Sequence, residues 1–392
     1  MKIEVVIGAN YGDEGKGLFT EYLCRNRPKP LVVMSNGGCQ RGHTVNNVEK
    51  KIRHVFHHFG SGTLVGAPTV LSKTFLLNPI MFVKEFNELC QLGASPEIIR
   101  TSQNVLQLPS DMFINQQLEK HRDMSGGRHG SCGWGIWETI IRNRDYKPLL
   151  FNDFLNMNES EKRKCLDDAL EWQIENRLMC EDGLEIDNEI LDIIRSDKFC
   201  KHFINDFLTM DKQCPCLEIP DGCSIIDVAE HGEYETIVIE NAQGLLLDKT
   251  YAPADENGKT DIHSTPSDTG LKGALESLEH EVDANDVTPN YVSRTYLTRH
   301  GAGPFPEETS GLKFEDETNV DNEYQGSMRF GKINNDAAKA LFQRTSIDAH
   351  SFNCIPRLVL THMNEARCMW LEENANYFSY EDDSSKTKER KS

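Results

Sequence analysis

The chain has 392 residues, enough for a full core in one large domain with insertions or in two domains. Its formal charge is −20, which sets it against binding nucleic acid through backbone phosphates, while small anionic ligands remain compatible because local donors decide those. No apolar run reaches the ~18 residues of a membrane span, and the N-terminus enters a strand without a signal-peptide layout, so a cytoplasmic protein is expected.

In chain order, Ile3 to Ile7 is apolar except for Glu4 and predicts a buried strand. It leads into Gly8-Ala9-Asn10-Tyr11-Gly12-Asp13-Glu14-Gly15-Lys16-Gly17 and then a helix beginning near Leu18. Strand, glycine turn and helix together form an anion site, with backbone N–H groups and the helix N-terminus facing the ligand and lysine adding charge. The spacing departs from the standard phosphate loop: Asn10 stands where the first glycine belongs and Gly17 where Ser or Thr belongs. With Asp13 inside the turn, phosphate binding and acid–base work are expected to share it.

A second strand is predicted at Leu31–Met34 and another at Thr69–Leu71. Between them lies Asn36-Gly37-Gly38-Cys39-Gln40-Arg41-Gly42-His43-Thr44-Val45, where the glycines at a strand end mark His43 as a functional histidine. His54, His57 and His58 fall in a separate apolar stretch and read as structural. Residues 151–232 change to a charged, glycine-poor, helix-like pattern and are read as a helical subdomain insert. Strand character returns at Thr236–Ile239, at Tyr291–Thr298 and at Leu358–Thr361. The polar end, 381–392, is expected to be a disordered tail. The twelve cysteines show no Cys-x-x-Cys spacing and are expected to be free thiols. The fold class is therefore α/β, a P-loop-like mixed but mainly parallel sheet flanked by helices with a helical insertion; residues 1–380 form a single domain.

Six stretches in order across residues 3–365 resemble the adenylosuccinate synthetase family. The first two are Gly12-Asp13-Glu14-Gly15-Lys16-Gly17 and Gly37-Gly38…Gly42-His43-Thr44-Val45. Gly130-Ser131-Cys132-Gly133-Trp134-Gly135-Ile136 and Glu240-Asn241-Ala242-Gln243-Gly244…Leu247-Asp248 follow. Tyr296-Leu297-Thr298-Arg299-His300-Gly301-Ala302-Gly303-Pro304-Phe305-Pro306 and Leu360-Thr361-His362-Met363-Asn364 complete the set.

The resemblance implies a ligase that joins L-aspartate to C6 of a 6-oxopurine nucleotide, IMP favoured, with hydrolysis of GTP or ATP and through a 6-phosphoryl intermediate. By resemblance Asp13 is the base and a Mg²⁺ ligand, His43 the acid and Lys16 a catalytic phosphate holder, with the Gly42 carbonyl a further Mg²⁺ ligand. The nucleotides would meet Gly12, Glu14, Gly15, Gly17, Gln40, Ser131, Cys132, Gln243, Thr269 and Asn364. In the family an arginine crosses a homodimer interface to the monophosphate; Arg142 or Arg144 would do so here.

The departures bear on specificity. Where the family has Lys-Leu-Asp this chain has His362-Met363-Asn364, and an amide cannot accept from guanine with two oxygens. Weaker GTP preference is expected, unless Glu365 replaces the missing acid. The aspartate-binding loop keeps a single arginine, Arg329, whose planar fork still suits one carboxylate. Trp134 replaces an arginine, and Gln40-Arg41 replaces Asn-Ala. Viral relatives act on dGMP with ATP but carry a small residue at the position of Asp13, so the two signals conflict. A dGMP-specific viral-type enzyme and a non-catalytic nucleotide-binding paralogue are the alternatives.

Overall fold

A computed structural model describes residues 1–47, 51–124, 127, 129–213, 216–254, 257–259, 263–314, 319, 321 and 323–365. Its strands are β1 (Lys2–Gly8), β2 (Pro30–Met34), β3 (His43–Asn47), β4 (Ile52–Phe56), β5 (Thr69–Leu71), β6 (Ile98–Thr101), β7 (Cys216–Ile219), β8 (Thr236–Glu240), β9 (Val287–Arg294), β10 (Leu297–His300), β11 (Met328–Gly331) and β12 (Arg357–Thr361). Eight of them form one sheet in the order β12-β9-β1-β8-β2-β5-β6-β7, every neighbouring pair parallel. Two antiparallel pairs, β3 with β4 and β10 with β11, stand apart from it.

A parallel sheet has helices on both faces, so its inner strands are buried on both sides and read as unbroken apolar runs. In β1 every residue from Ile3 to Gly8 is buried. Alternate side chains enter two cores. Val6, Val32, Met34, Val238 and Val292 face one layer with Phe59, Phe75 and Phe82. Val5, Ile7, Leu31, Val33, Ile237, Ile239 and Tyr291 face the other.

The helices that frame the site begin with α1 (Lys16–Asn26) and α2 (Pro79–Gln91), the second capped by the Asn78 side chain on Met81 N. Between β6 and β7 run α3 (Pro109–Met124), α4 (Ile136–Asp145), α5 (Phe151–Asn156), α6 (Glu159–Gln173), α7 (Asn188–Arg195) and α8 (Asp197–Gln213). The helical stretch thus starts ahead of residue 151. Its far end is not wholly helical either, because β7 returns to the edge of the main sheet at Cys216. α6 opens on a reciprocal capping box between Asn158 and Glu161, which fixes its start. The single strand expected over Tyr291–Thr298 divides: β9 ends at Arg294, level with the end of β12 and two residues past the end of β1, and β10 leaves to pair with β11. The tail at 381–392 lies outside the described residues. Among those described, no helix is long and apolar enough to cross a membrane.

Candidate functional site

Five of the six sequence motifs follow the C-terminal ends of β1, β2, β8, β9 and β12, while the motif at 130–136 lies between α3 and the start of α4. The five strands are adjacent in the order β12-β9-β1-β8-β2, so residues far apart in sequence meet at one edge, where parallel α/β sheets bind ligands.

The turn after β1 is built from the outside in. Its carbonyls are held by neighbours: Ala9 O by Arg344 Nε at 2.8 Å, Asn10 O by Leu246 N at 2.8 Å, Asp13 O by Arg294 Nε at 2.6 Å and Glu14 O by Thr361 Oγ1 at 2.5 Å. With carbonyls turned outward, amides turn in. Asn10 N and Gly12 N donate to Glu14 Oε1 at 3.0 and 2.8 Å, and Lys16 Nζ donates to Glu14 Oε2 at 3.1 Å. The cradle expected for phosphate therefore holds a carboxylate of its own chain, and the Lys16–Glu14 pair is buried.

Two glycines are forced by space. A Cβ at Gly8 would lie 2.5 Å from Gln243 O and 2.7 Å from Glu14 Oε2. A Cβ at Gly17 would lie 2.8 Å from His43 Cβ and 2.9 Å from Ser61 Oγ, which is why the Ser or Thr of a standard phosphate loop has no room here.

Asp13 is half-buried, and its backbone lies in the left-handed region at φ 60°. Its carboxylate accepts no hydrogen bond from the described residues. Burial raises its pKa, with the Lys16 charge pulling the other way. A carboxyl shifted upward is a better base. Its two unclaimed oxygens also suit a hard cation such as Mg²⁺, which takes one or two protein carboxylates and fills its remaining positions with phosphate oxygens and water. No cluster of three or more His, Cys, Asp or Glu groups able to hold a metal occurs among the described residues.

His43 opens β3. Its Nδ1 lies 2.5 Å from Glu240 Oε1, so in the arrangement that satisfies both, Nδ1–H donates and Nε2 keeps its lone pair. Glu240 ends β8 and is fully buried; it also accepts from Ser61 N at 3.0 Å and Ser61 Oγ at 2.5 Å. Arg41, buried as well, places Nη2 3.0 Å from His43 Nδ1 and 3.5 Å from Glu240 Oε1. Burial, then the Arg41 charge, lowers the His43 pKa to about 4. Burial would raise Glu240, but the His43 and Arg41 contacts outweigh it and hold it at about 2. His43 is thus neutral at pH 7, and Nε2 must gain a proton before it can act as an acid.

Gln40 and Gln243 present buried amide atoms with no partner among the described residues, both ends for Gln40 and Oε1 for Gln243. Buried polar atoms of this kind are normally satisfied, and a purine edge or a phosphate would satisfy them. Ser131 donates to Asn115 Oδ1 at 2.8 Å, and the Cys132 thiol is pushed up by burial, which leaves it unreactive. Thr269 is buried and braces the neighbouring turn: its N–H donates to Asp248 Oδ2 at 2.9 Å and its hydroxyl to Gly244 O at 3.1 Å.

Of the two arginines proposed to cross an interface, Arg142 is committed inside the fold. It is 1% exposed, donates through Nε to Asp111 Oδ1 at 2.8 Å and through Nη2 to Asp111 Oδ2 at 3.0 Å, and also reaches Leu106 O. Arg144 stands in solvent beside Asp145. Arg329 is also occupied: its fork binds Glu308, with Nε at 3.0 Å, while Nη1 donates to Gly301 O and Gly303 O. Asn364 is exposed in the turn after β12. Glu365, the alternative guanine acceptor, instead takes the Tyr296 hydroxyl. His54 and His58 surround Glu85, and His57 Nδ1 meets Cys39 O at 2.9 Å, so the three support the His43 loop from behind.

The sequence motifs include Glu240 and Arg41 without assigning either a role, and they omit Ser61, Arg294 and Arg344. The available signal is a charged residue closing an apolar strand, as in Thr-Ile-Val-Ile-Glu240; an acid at the functional end of a buried strand is costly unless paired.

A family model described as adenylosuccinate synthetase matches residues 5–329. Adenylosuccinate synthetase of Gloeothece citriformis is 27% identical over 313 residues, covering 78% of this chain and 62% of that protein. The chain matches less than two thirds of the length of such curated relatives. Among solved structures, fully ligated adenylosuccinate synthetase from Plasmodium falciparum superposes with a TM-score of 0.66 at 18% identity, covering 93% of this chain and 77% of that one. Cyanophage S-2L succinoaminodeoxyadenylate synthetase, bound to dGMP and to dATP as an energy donor, superposes with a TM-score of 0.58 at 14% identity, covering 96% and 89%. These two likenesses concern the fold.

Proposed function

The chain belongs to the adenylosuccinate synthetase family, and from that premise we propose that it condenses L-aspartate with C6 of a 6-oxopurine nucleoside monophosphate, IMP in the first place, using GTP or ATP. The observation that carries the reading is the pairing of two opposed groups at one sheet edge. Asp13 is an unclaimed carboxylate with a raised pKa, and His43 is an imidazole pinned through Nδ1 with Nε2 left over.

The chemistry follows from the leaving group. Oxygen at C6 leaves poorly until it is phosphorylated. Asp13 removes the N1 proton, O6 attacks the γ-phosphorus, and the β–γ P–O bond breaks with release of nucleoside diphosphate. His43, protonated at Nε2 against the Glu240 carboxylate, donates to the phosphoryl oxygens as charge gathers on them. The aspartate amine then attacks C6, loses a proton, and the C6–O bond breaks to release phosphate. Mg²⁺, held by Asp13 and the Gly42 carbonyl, would neutralise triphosphate charge when bound. Gln40 and Gln243 hold the purine, and Lys16 and the turn amides reach phosphate by giving up Glu14. Arg329 meets the aspartate carboxylate by exchanging Glu308 for it. A homodimer in which Arg144 reaches the neighbouring monophosphate belongs to the same reading.

A second reading, dGMP with ATP or dATP, draws support from the donor side. Asn364 cannot accept from guanine with two oxygens, and Glu365 is engaged by Tyr296. Asp13 speaks for IMP over dGMP. The test is incubation with L-aspartate and Mg²⁺ and each of IMP, dIMP, GMP and dGMP, crossed with GTP, ATP and dATP, read by mass. Succinyl adduct from IMP is expected. Adduct from dGMP alone replaces the acceptor, and no adduct from any pair removes the ligase reading in favour of a nucleotide-binding paralogue.

A further inference from the structure

Arg294 is the last residue of β9, between β1 and β12 in the sheet, and is 6% exposed. From there it touches both sides of the site. Nε donates to Asp13 O at 2.6 Å, and Nη1 donates to Tyr296 Oη at 2.9 Å. The Tyr296 hydroxyl in turn donates to Glu365, in the turn that follows β12. Each donor in this line polarises the next, and the line ends on a carboxylate. The Tyr296 ring stacks on Phe314 at 4.3 Å between centroids, so the hydroxyl is held in direction as well as distance.

A second tie runs alongside. Thr361 Oγ1, at the end of β12, donates to Glu14 O at 2.5 Å, and His362 Nδ1 lies 2.9 Å from the same hydroxyl. The Glu14 carbonyl is therefore held directly by the segment 361–365, and the Asp13 carbonyl is tied to it through Arg294 and Tyr296. Asp13 needs such support, because a left-handed backbone at a non-glycine residue persists only where surrounding contacts hold it. Rotation of the Asp13 peptide would redirect its carboxylate.

We propose that Arg294 is a positioning residue which, through Tyr296 and Glu365, couples the triphosphate-base pocket after β12 to the orientation of the general base Asp13. The inference rests on the proposed ligase reading for the role of Asp13 and of that pocket. A purine seated against Asn364 rests on the turn that holds Glu365, so donor binding tightens the line to Asp13 O and sets the base before phosphoryl transfer.

The test uses the full chain and the variants Arg294→Met, Tyr296→Phe and the pair together. Hydrogen–deuterium exchange of the peptide covering 9–17 is followed with and without ATP, beside kcat and KM with the best acceptor and donor. Arg294→Met is expected to lower kcat about tenfold or more while the KM for the monophosphate stays within about twofold. Tyr296→Phe, which keeps the stacked ring, is expected to lower kcat about threefold and to abolish the slowing of 9–17 exchange by ATP. The double variant should match Arg294→Met alone, since both sit on one line. Tyr296→Phe that keeps wild-type kcat and wild-type exchange overturns the proposal, as does additivity in the double variant. If Arg294→Met fails to fold, Tyr296→Phe decides. A wild-type protein that yields no adduct with any pair removes the ligase reading, whereas the exchange data still judge the coupling.

Discussion

Replacing Glu240 with Gln tests whether the His43 centre is an electrostatic unit. The carboxylate is fully buried and faces His43 Nδ1 at 2.5 Å, two donors of Ser61 and Arg41 Nη2 at 3.5 Å. Glutamine keeps one acceptor oxygen but no charge, so the buried Arg41 loses its nearest counter-ion and keeps only the weaker influence of Glu85. Removing one partner of a buried pair costs ~3–5 kcal/mol, and the retained oxygen places the expected loss near ~3 kcal/mol. Adding Arg41→Met should return part of it, with a coupling of ~1–3 kcal/mol in a double-mutant cycle. His43 also loses the anion that favours its protonated form, so its pKa falls further below its present value of about 4. Loss of a general acid corresponds to ~10²–10⁴ in kcat. Urea denaturation of the four proteins measures the first effect and succinyl-adduct formation the second. Additive stabilities, or wild-type turnover by Glu240→Gln, would refute the reasoning.

Other consequences follow from the same geometry. Asp13→Asn, which tolerates the left-handed backbone, should lower kcat by ~10²–10⁴ without lowering the thermal midpoint; retained activity would remove Asp13 as the base. Asn364→Asp adds a charged acceptor worth ~1.5–3 kcal/mol, so the ratio of GTP to ATP use should rise ~10–100-fold, and an unchanged ratio would place the donor base elsewhere. Arg142→Met should destabilise by ~3–5 kcal/mol by stranding Asp111. Arg144→Ala should leave stability within ~0.5 kcal/mol while raising the KM of the monophosphate, and an unmoved KM would dismiss it as the borrowed arginine. Stability should fall in acid from near pH 6.5. His43 drops from 6.5 to about 4 on folding, so below pH 6.5 the unfolded chain binds a proton that the native chain refuses. That loss grows to ~3 kcal/mol by pH 4. Glu240 and Glu85, each lowered from 4.5 to about 2, contribute stability present above pH 4.5 and lost as pH falls toward 2. Urea midpoints constant between pH 7 and 4.5 would contradict the His43 assignment.

The inner strands were legible because burial on both faces demands largely apolar residues: Ile3–Ile7 (Glu4 apart), Leu31–Met34 and Thr236–Ile239 stand inside the main sheet, and Leu358–Thr361 is its half-buried edge strand. The motif loops were legible because glycine turns at strand ends have few other uses. β6 (Ile98–Thr101) and β7 (Cys216–Ile219) were not, since each is four residues with a charged residue inside it and gives too little pattern to separate a strand from a loop. Nor was the break after Arg294, which depends on where neighbouring strands stop.

What the sequence determined by itself was the family and the mainly parallel sheet, together with Asp13, His43 and Lys16 as candidates for the site. Only the tertiary structure decided how those groups are charged and spent. Glu14 fills the cradle that the motif reserves for phosphate, Glu308 occupies the fork of Arg329, and Asp111 holds Arg142. The acid that sets His43 lies 197 residues away along the chain. Local pattern records which face of a strand or helix is buried, because that choice repeats every two or four residues. A charge pair leaves no such period, since its partners are joined only when separate strands come side by side.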